Sequence, residues 1–413
     1  MKINDKQLKL VDRQIKRIIA SGNYYSEIYK KAGITGVETP EDFEKIPFTD
    51  KADLRNAYPL GIQVAPDEDI VRIHSSSGTT GKPVIIPYTS KDVEDWAEMF
   101  ARCYEIAGIT KKDRIHITPG YGLWTAGIGF QAGCEKLGAM AVPMGPGNTE
   151  KQLQMMMDLG STVLCATSSY ALLLAEEINK RGIKDKIKLK KGVIGSERWS
   201  DAKRNYIARE LGIELYDIYG LTEIYGPGIG INCSEQTGMH IFDDFLYTEI
   251  IDPVTGEVLP DGEEGEIVIT TLVKEGAPLI RFRTHDLSRI IPGKCPCGRE
   301  YPRLDTIKGR SDDMFKVHGV NMFPSQVEEI LGTVDGVSSE YKIDIAHDES
   351  KNRDIIMLTV EADGRVDFSA TADTIKALFK SKLNVTPNVA VVSLNTLPRS
   401  EKKTQRVFDH RGD

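Results

Sequence analysis

The chain has 413 residues, more than the about 250–300 that a single hydrophobic core usually reaches, so we expect at least two domains. Hydrophobic residues make up 40% of it and charged residues 28%, which is ordinary for a soluble globular protein. The 61 acidic residues outnumber the 53 basic ones and give a net charge of −8, which argues against non-specific binding to nucleic acid or to an anionic membrane.

We also expect a cytoplasmic protein. The N-terminus has no apolar run after its first charged residues, and the sequence contains no stretch of about 18 uncharged apolar residues. In such a chain, free thiols or metal ligands are favoured over disulfides for the six cysteines. Cys103, Cys134 and Cys165 stand singly in mixed apolar surroundings, which favours inert packing residues.

The first predicted elements are helices. Apolar residues recur at roughly helical spacing among lysines and arginines over residues 8–32, which predicts one amphipathic helix with a packing role. Thr39 followed by Pro40 is typical of the cap and first position of a second, short helix. The residues after it lead into a strand that precedes a glycine-rich segment.

The glycine-rich segment comprises residues 74–83. It is dense in hydroxyl side chains, contains Gly78 and Gly81, and ends with Lys82 and Pro83 before a strand-like run. Glycines let the backbone approach an anion, and the N–H and O–H groups can donate hydrogen bonds to it, so the segment indicates a phosphate-binding loop. The two glycines are only three residues apart and a proline follows the lysine, which excludes a Walker-type P-loop. The alternative is a flexible surface loop.

Helices and strands alternate from residue 91 onwards. This alternation implies parallel strands joined by crossover helices, and ligands of such sheets collect beyond the carboxyl ends of the strands. The glycine-rich segments fall at these ends. The predicted helices cover residues 91–107, 152–159 and 170–181, and the predicted strands cover residues 114–118, 139–142, 162–166, 192–195 and 214–218.

The later part of the chain has a different texture. From Thr248 onwards short strands and turns predict a small β-subdomain, which we place at about residues 240–308. Residues 309–313 mark a joint, after which helices and strands alternate in a compact α+β pattern. The predicted fold class is therefore α/β, with a large N-terminal domain of βαβ-type sheets over residues 1–311 and a small α+β C-terminal domain over residues 312–413.

Two acidic residues follow strands, where they could bind a nucleotide. Glu223 stands next to Thr222, and a carboxylate and a hydroxyl beside a phosphate loop suit a Mg²⁺ ion between protein and nucleotide oxygens. Asp286 could accept hydrogen bonds from two ribose hydroxyls. The alternatives are a solvated loop carboxylate for Glu223 and, for Arg310 and Asp312 farther on, a surface ion pair.

Cys233, His240, Cys295 and Cys297 form a second candidate site. Three thiols and one imidazole match a closed tetrahedral Zn²⁺ site in number and in softness. The two pairs lie in separate segments, so one metal could join them. We expect a structural role, because four protein ligands leave no position for a substrate. The alternative is a set of free packing cysteines.

Taken in this order, the motifs closely resemble the adenylate-forming superfamily of acyl-CoA synthetases and, within it, the phenylacetate-CoA ligases. The resemblance extends from about residue 8 to residue 411. The stretches that carry it are residues 47–51, 53–55, 74–83, 121–125, 219–223, 283–286, 309–314, 318–324, 398–401 and 406–407.

This resemblance implies a two-step reaction. ATP converts a carboxylate, which is a poor acyl donor, into an acyl-adenylate with release of pyrophosphate, and the CoA thiolate then displaces AMP. Both steps need positioning and charge neutralisation more than covalent help from the protein. The implied partners are an aryl carboxylic acid, with phenylacetate as the first choice, ATP with Mg²⁺, CoA as co-substrate, and a second copy of the chain in a homodimer.

The resemblance also implies a nucleotide site. Residues 75–82 would hold the β- and γ-phosphates, Thr222 and Thr80 would help Glu223 to hold Mg²⁺, and residues 195–197 would lie beside the adenine. The implied catalytic residues are Thr80, Lys82, Glu223 and Lys403. The implied ATP and AMP contacts are Ser75, Ser76, Ser77, Gly78, Thr79, Thr80, Gly81, Lys82, Gly195, Ser196, Glu197, Asp217, Tyr219, Gly220, Thr222, Glu223, Asp286 and Arg310.

Other implied roles concern the acyl group, CoA and domain motion. Tyr121 and Trp124 would form one wall of the acyl pocket, although the same aromatic residues could be ordinary core. Gly319 would lie along the pantetheine path. Asp312 would be the hinge about which a mobile C-terminal domain turns between the two steps.

Two departures from the family pattern bear on these roles. The late catalytic lysine of the family normally follows a glycine, whereas this chain has Lys402 at that place; by register from Arg406 the role falls to Lys403. The alternative is a solvated basic turn, and a non-glycine there could slow adenylation. Arg198 stands where these ligases usually have proline, which leaves the adenine contacts less defined.

Two other functions remain open from the sequence alone. The adenylate could be transferred to the thiol of a separate carrier protein, since this chain has no carrier-type segment of its own. Alternatively, the protein could bind a nucleotide or an acyl-adenylate without turnover.

Overall fold

The chain divides into two units in the computed structural model, which describes residues 2–76, 82–197, 201–317, 320–348, 353–398 and 406–411. The first unit comprises Met1–Ser196 and Ile207–Ile307, and the second comprises Glu197–Tyr206 and Lys308–Asp413. Helices and strands occur in both units, so the predicted α/β class, with a large N-terminal part and a smaller C-terminal part, is confirmed.

The opening helix is divided in two, so the prediction of a single helix over residues 8–32 is wrong. Helix α1 (Asp5–Ser21) ends because Gly22 adopts the left-handed conformation, with a φ of 65°. Helix α2 (Tyr24–Lys31) begins after Asn23, whose side chain accepts a hydrogen bond from an N–H of the first turn. Apolar residues keep a similar spacing across the break, so periodicity alone did not reveal it.

Capping boxes start several of the following helices. Thr39, Asp50 and Thr89 each accept a hydrogen bond from the third helical N–H, and the aspartate at that position returns one. The short helix predicted after Thr39 is therefore confirmed. The three helices with capping boxes are α3 (Pro40–Glu44), α4 (Lys51–Asn56) and α5 (Ser90–Ile106). The helices that follow in the first part of the chain are α6 (Thr125–Leu137), α7 (Thr149–Leu159), α8 (Ser168–Lys180) and α9 (Asp201–Leu211).

The strands up to residue 304 are short and largely buried. They are β1 (Ile70–Ser75), β2 (Ile85–Thr89), β3 (Arg114–Ile117), β4 (Met140–Pro143), β5 (Val163–Thr167), β6 (Lys191–Gly195), β7 (Glu214–Leu221), β8 (Gly226–Asn232), β9 (Met239–Ile241), β10 (Leu246–Ile251), β11 (Gly265–Thr271), β12 (Phe282–Ser288), β13 (Ile290–Ile291) and β14 (Arg303–Leu304).

The main sheet combines a parallel half and an antiparallel half. Among the described residues its strands follow in the order β13, β14, β9, β8, β7, β6, β5, β3 and β4. Strands β4, β3, β5, β6 and β7 are parallel and are connected through α6, α7, α8 and α9, as the alternation predicted. Strand β8 then runs antiparallel to β7. The turn between them carries residues 222–225 at the carboxyl end of the parallel half.

A second sheet is built from β10, β11 and β12, which pair antiparallel in chain order. Within the range predicted as a β-subdomain, these strands are separate from the main sheet, whereas β9, β13 and β14 extend it. Strands β1 and β2 form a hairpin of their own, and the glycine-rich segment lies between them.

Helices α5 and α6 approach each other closely. A Cβ atom built on Gly129 of α6 would lie 2.4 Å from Cζ2 of Trp96, and one built on Gly133 would lie 2.5 Å from Cβ of Phe100. Trp96 and Phe100 are fully buried on α5. Only glycine therefore permits this spacing between the two helices.

The second unit folds around its own apolar core. Ile343, Leu358, Ile375 and Phe379 are among the buried residues of that core. Its elements are β15 (Gly309–Arg310), β16 (Phe315–Val317), β17 (Val320–Met322), α10 (Pro324–Leu331), β18 (Val337–Asp348), β19 (Arg353–Ala362), α11 (Phe368–Leu383), β20 (Asn388–Ser393) and β21 (Val407–Asp409). Four of these strands form a sheet in the order β20, β19, β18 and β21. In both units, none of the described helices is long and apolar enough to cross a membrane.

We expect Gly129→Ala to destabilise the protein. Overpacking a full core costs about 1–3 kcal/mol, whereas alanine gains only about 1 kcal/mol of helix propensity over glycine. A lower urea-unfolding midpoint than wild type is the expected result. Glu135→Ala, on the exposed side of the same helix, is the matched control and should shift the midpoint little. A midpoint for Gly129→Ala equal to that of the control would contradict the packing argument.

Candidate functional site

The acidic residue Glu223 lies in the turn that follows β7. Its side chain is nearly buried, at 7% exposed, and one carboxylate oxygen lies 2.8 Å from Nζ of Lys51, the first residue of α4. The neighbouring Thr222 shares a hydrogen bond of 3.3 Å with the hydroxyl of Thr125. The solvated-loop alternative for Glu223 therefore does not fit the structure. Sequence reasoning missed Lys51, although its stretch carried the resemblance.

A buried lysine supports the same turn from behind. Lys274 has no exposed surface, and its Nζ donates to the carbonyl of Ile224. The ammonium lies 4.5 Å from the ring centroid of Tyr88 and 4.6 Å from that of Tyr225. Burial lowers the pKa of Lys274 to about 7, although the charges of Asp92 and Glu223 act in the opposite direction. No motif pointed to this residue.

Two tertiary hydrogen bonds fix the backbone of the turn further. The hydroxyl of Tyr88 donates to the carbonyl of Tyr225 at 2.9 Å. The indole N–H of Trp96 donates to the carbonyl of Pro227 at 2.8 Å. The carboxylate of Glu223 is thus carried on a rigid turn and not on a mobile loop.

Asp286 lies on β12 and contacts the main sheet through Tyr219. The phenol of Tyr219, on β7, donates a hydrogen bond of 2.8 Å to the carboxylate of Asp286. The backbone N–H of Asp286 donates to the hydroxyl of Thr284 at 3.0 Å. The structure therefore brings Tyr219 and Asp286 together, as two residues of the predicted nucleotide site.

A buried carboxylate stabilises the strand on which Asp286 lies. Glu266 is fully buried and pairs with Arg283 at 2.8 Å and with the ring of His285 at 3.4 Å. Burial raises the pKa of Glu266, but the hydrogen bonds and charges of these two partners outweigh it and lower the pKa to about 2. His285 holds a left-handed backbone, with a φ of 64°, directly before Asp286.

The ends of the glycine-rich segment are held together. The N–H of Ser75 donates to the carbonyl of Leu123 at 2.8 Å, and the N–H of Ser76 donates to the carbonyl of Val84 at 3.0 Å. The N–H of Val84 returns a bond of 3.0 Å to the hydroxyl of Ser76. Lys82 has its Nζ 5.5 Å from the ring centroid of Tyr58. The predicted contacts Ser77, Gly78, Thr79, Thr80 and Gly81 lie outside the described residues.

The residues predicted beside the adenine lie at the ends of β6 and along β7. Gly195 ends β6, and Ser196 after it has a left-handed backbone with a φ of 69°. Asp217 donates its N–H to the side-chain oxygen of Asn232 at 2.8 Å, which joins β7 to β8. Glu197 is the last residue described before the gap at 198–200, so Arg198 lies outside the description. Gly220 belongs to β7.

The residues predicted in the second unit are described only in part. Arg310 pairs with Asp312 at 2.8 Å, and both side chains are partly exposed, as the surface ion-pair alternative requires. Gly319, Lys402 and Lys403 lie outside the described residues. The roles of hinge, CoA path and late lysine therefore stay predictions.

The aromatic residues predicted for the acyl pocket lie beyond the carboxyl end of β3. Tyr121 is half-buried, and its hydroxyl is buried without a hydrogen-bond partner among the described residues. Burial raises the pKa of Tyr121. Trp124 is 44% exposed, whereas Phe130 is buried with its ring centroid 4.8 Å from that of Phe100. Phe130 is thus a core residue.

Cys233, His240, Cys295 and Cys297 come together. Their ligand atoms all lie within 4.8 Å of one another. Sγ of Cys233 lies 3.7 Å from Sγ of Cys295, and Sγ of Cys297 lies 3.3 Å from Nε2 of His240. The other three cysteines are buried and free, which agrees with the predicted packing role.

Comparison with known proteins gives the family. The AMP-binding enzyme model matches residues 14–272, and the AMP-binding enzyme C-terminal domain model matches residues 319–411. Phenylacetate-coenzyme A ligase of Pseudomonas putida is 42% identical over 379 residues, which cover 90% of this chain and 85% of that protein. The chain belongs to the phenylacetate-CoA ligase family of AMP-binding enzymes. Phenylacetate-coenzyme A ligase of Thermus thermophilus is 37% identical over 434 residues, and this match covers 98% of this chain and 97% of that protein.

A solved structure agrees with this assignment to the phenylacetate-CoA ligase family. 2-Hydroxyisobutyryl-CoA ligase in complex with 2-HIB-AMP has a TM-score of 0.88 and 27% identity, and the match covers 99% of this chain and 90% of that one. As a member of the family, the protein is a ligase that activates an acid with ATP, forms AMP and transfers the acyl group to CoA. ATP and CoA are therefore its small-molecule substrates, and the predicted reaction class is confirmed.

We expect Glu266→Gln to lower stability by about 1–3 kcal/mol near neutral pH, because Arg283 and His285 lose a charged partner. The pKa of Glu266 in the folded protein lies below its ordinary value of 4.5. Its ionised carboxylate therefore contributes fully to the free energy of unfolding above pH 4.5, and this contribution is lost as the pH falls through about 2. The difference between the urea midpoints of wild type and variant should therefore be full at pH 7, narrow below pH 4.5 and disappear toward pH 2. The exposed Glu263→Gln is the matched control, and a gap that does not narrow with falling pH would argue against this pair.

Proposed function

We propose that this enzyme activates an aryl carboxylic acid, with phenylacetate as the best substrate, and transfers it to CoA. The observation that carries the proposal is the identity of 37–42% with phenylacetate-CoA ligases over 90–98% of the chain. The half-buried ring of Tyr121, followed by Trp124 beyond the carboxyl end of β3, supports a flat apolar acyl group at this edge of the sheet.

The nucleoside of ATP would lie where β7 ends. A carboxylate can accept hydrogen bonds from two ribose hydroxyls, and the bond from Tyr219 orients that of Asp286. Arg310 would lie near the ribose. Residues 195–197 would flank the adenine, with Asp217 and Gly220 in the same site.

The phosphates and Mg²⁺ would be held between the glycine-rich segment and the turn after β7. Residues 75–82 would bind the β- and γ-phosphates, which leave together as pyrophosphate. Glu223 with Thr222 and Thr80 would hold Mg²⁺, because a nearly buried carboxylate beside hydroxyls is the donor set this cation prefers. When bound, Mg²⁺ neutralises charge on the phosphate oxygens. The ion pair between Lys51 and Glu223 would have to open when the cation binds, and Lys51, which is 37% exposed, can turn toward solvent.

The two steps would differ in which residues of the C-terminal domain act. In the first, an oxygen of the acid attacks the α-phosphorus and the bond to pyrophosphate breaks, with Lys403 meeting the developing charge. In the second, the CoA sulfur attacks the carbonyl carbon and the bond to AMP breaks, with Gly319 beside the pantetheine. Asp312 would be the hinge between the two arrangements, which is why we keep the domain boundary at 311/312.

We expect ATP-dependent thioester formation to be most efficient with phenylacetate. The panel contains phenylacetate, hydroxyphenylacetate, indoleacetate, benzoate and a medium-chain fatty acid, and kcat/KM for CoA thioester is measured for each. Phenylacetate should lead, because the aromatic wall favours a flat ring over a chain. Activity with the fatty acid alone would overturn the aryl assignment.

The control for turnover in this panel is the late lysine. Lys403→Ala should slow ATP–pyrophosphate exchange by about 10²–10³-fold, the cost of removing one charge-stabilising donor. Lys402→Ala is the matched variant one residue away and should keep most of the exchange rate. Equal losses in both variants would remove the role from Lys403.

We also propose that Cys233, His240, Cys295 and Cys297 bind one structural Zn²⁺. Three soft thiolates and an imidazole, with ligand atoms within 4.8 Å of one another, suit a closed tetrahedral site. The ligands come from the end of β8, from β9 and from the segment between β13 and β14, so one ion would join these strands at the antiparallel end of the main sheet. The predicted cytoplasmic location remains a proposal from the sequence, and the predicted homodimer remains a proposal from the family resemblance alone.

Metal analysis of the purified protein should find about one zinc per chain. Cys297→Ser should lose most of the zinc and lower the unfolding temperature, because one of four ligands is removed. Cys134→Ala, a buried cysteine outside the cluster, should keep the metal. Wild-type protein without near-stoichiometric zinc would end the proposal.

A further inference from the structure

A chain of buried hydrogen bonds crosses from β3 to the loop after β4. His116 of β3 and Gln152 of α7 are both buried, and Nε2 of His116 lies 2.6 Å from Oε1 of Gln152. Nδ1 of His116 lies 3.3 Å from the hydroxyl of Ser161, which is also buried. The amide nitrogen of Gln152 then donates to the carbonyls of Gly145 at 2.7 Å and Gly147 at 3.1 Å.

The direction of each hydrogen bond follows from the chemistry. An amide nitrogen only donates, so Nε2 of Gln152 faces the two glycine carbonyls and its Oε1 accepts from His116. His116 therefore carries its proton on Nε2, and its Nδ1 accepts from the hydroxyl of Ser161. Burial lowers the pKa of His116, which favours this neutral form. Each group in the chain has one role, and replacing one of them leaves buried partners unpaired.

The loop that Gln152 holds lies against the predicted acyl wall. Gly145 and Gly147 have left-handed backbones, with φ of 71° and 80°. A Cβ atom built on Gly145 would lie 3.7 Å from the ring carbon Cδ2 of Tyr121, which is ordinary contact distance. The N–H of Gly145 also donates to the carbonyl of Ile117 at the end of β3, at 3.1 Å. Gly145 thus lies next to Tyr121 at the carboxyl edge of the parallel strands, in the loop that Gln152 holds.

We propose that Gln152 is a positioning residue that determines acid specificity. Gln152 holds the loop with Gly145 next to Tyr121. It thereby limits how far the ring of Tyr121 can move, and so limits the size of the acyl group that the pocket admits. The inference rests on the proposed function, because the role of Tyr121 as acyl wall belongs to it. Replacing a residue with a merely structural role would change KM for ATP and KM for the acid alike, whereas replacing Gln152 should change KM for the acid.

The test is Gln152→Met, which keeps the length of the side chain and removes its hydrogen bonds. We expect KM for phenylacetate to rise on the order of tenfold, as for the loss of buried hydrogen bonds, while KM for ATP stays within about twofold. The ratio of kcat/KM for a bulkier aryl acid, naphthylacetate, to that for phenylacetate should rise. Gln154→Met is the matched control, because Gln154 is exposed on the same helix and its amide donates a hydrogen bond of 2.7 Å to the carboxylate of Asp158, on the surface of that helix.

Each outcome decides the question. An unchanged KM for phenylacetate, or an equal rise in the KM for ATP, would overturn the inference. If Gln152→Met does not fold, Ser161→Ala is the second variant, because it removes only the last hydrogen bond of the series, the one to His116. It should raise the ratio of KM for phenylacetate to KM for ATP. An unchanged ratio counts against the proposal. Wild-type protein that activates no aryl acid would instead remove the proposed function, and the ratio would then be measured with the acid that it does activate.

Discussion

The turn that carries the acidic site depends on a buried ammonium. Lys274 has no exposed surface, and it is compensated by the carbonyl of Ile224 and by the faces of Tyr88 and Tyr225. A charge removed from water is costly unless such partners are in place. Lys274 therefore needs these three partners for its burial, and in return it holds the turn that carries Ile224 in place. Because Tyr88 belongs to β2, the turn with Glu223 is tied to the strand that follows the glycine-rich segment.

The same region joins segments that are far apart in the chain. Asp92 in the first turn of α5 accepts hydrogen bonds of 2.7 Å from the N–H groups of Glu275 and Gly276, directly after Lys274. The helix after β2, the turn after β7 and the segment after β11 therefore meet at one cluster of opposite charges. An enzyme that works by positioning and charge neutralisation gains from such a fixed frame, because little has to reorganise when the substrate arrives.

Sequence patterns could predict the local parts of the site but not its tertiary partners. Glu223 is predicted because it follows a strand, and a parallel sheet gathers strand ends at one edge. Asp286 is also predicted to follow a strand, but it lies within β12 and reaches the main sheet through Tyr219. The cysteine and histidine ligands were grouped because their chemistry is specific enough to be recognised in separate segments. Lys51 and Lys274 were missed because lysines are common and their partners lie far away in the chain. Gln152 was missed for the same reason, since glutamine on a helix usually faces solvent.

Helix α6 would be a weak helix in isolation. It contains three glycines, each less favourable than alanine by about 1 kcal/mol in a helix interior, and its stability therefore comes from packing on α5. Tyr121 lies in the segment just before α6. Because Tyr121 precedes α6, a substitution that loosens the packing of α6 on α5 would also shift the backbone that carries the proposed acyl wall.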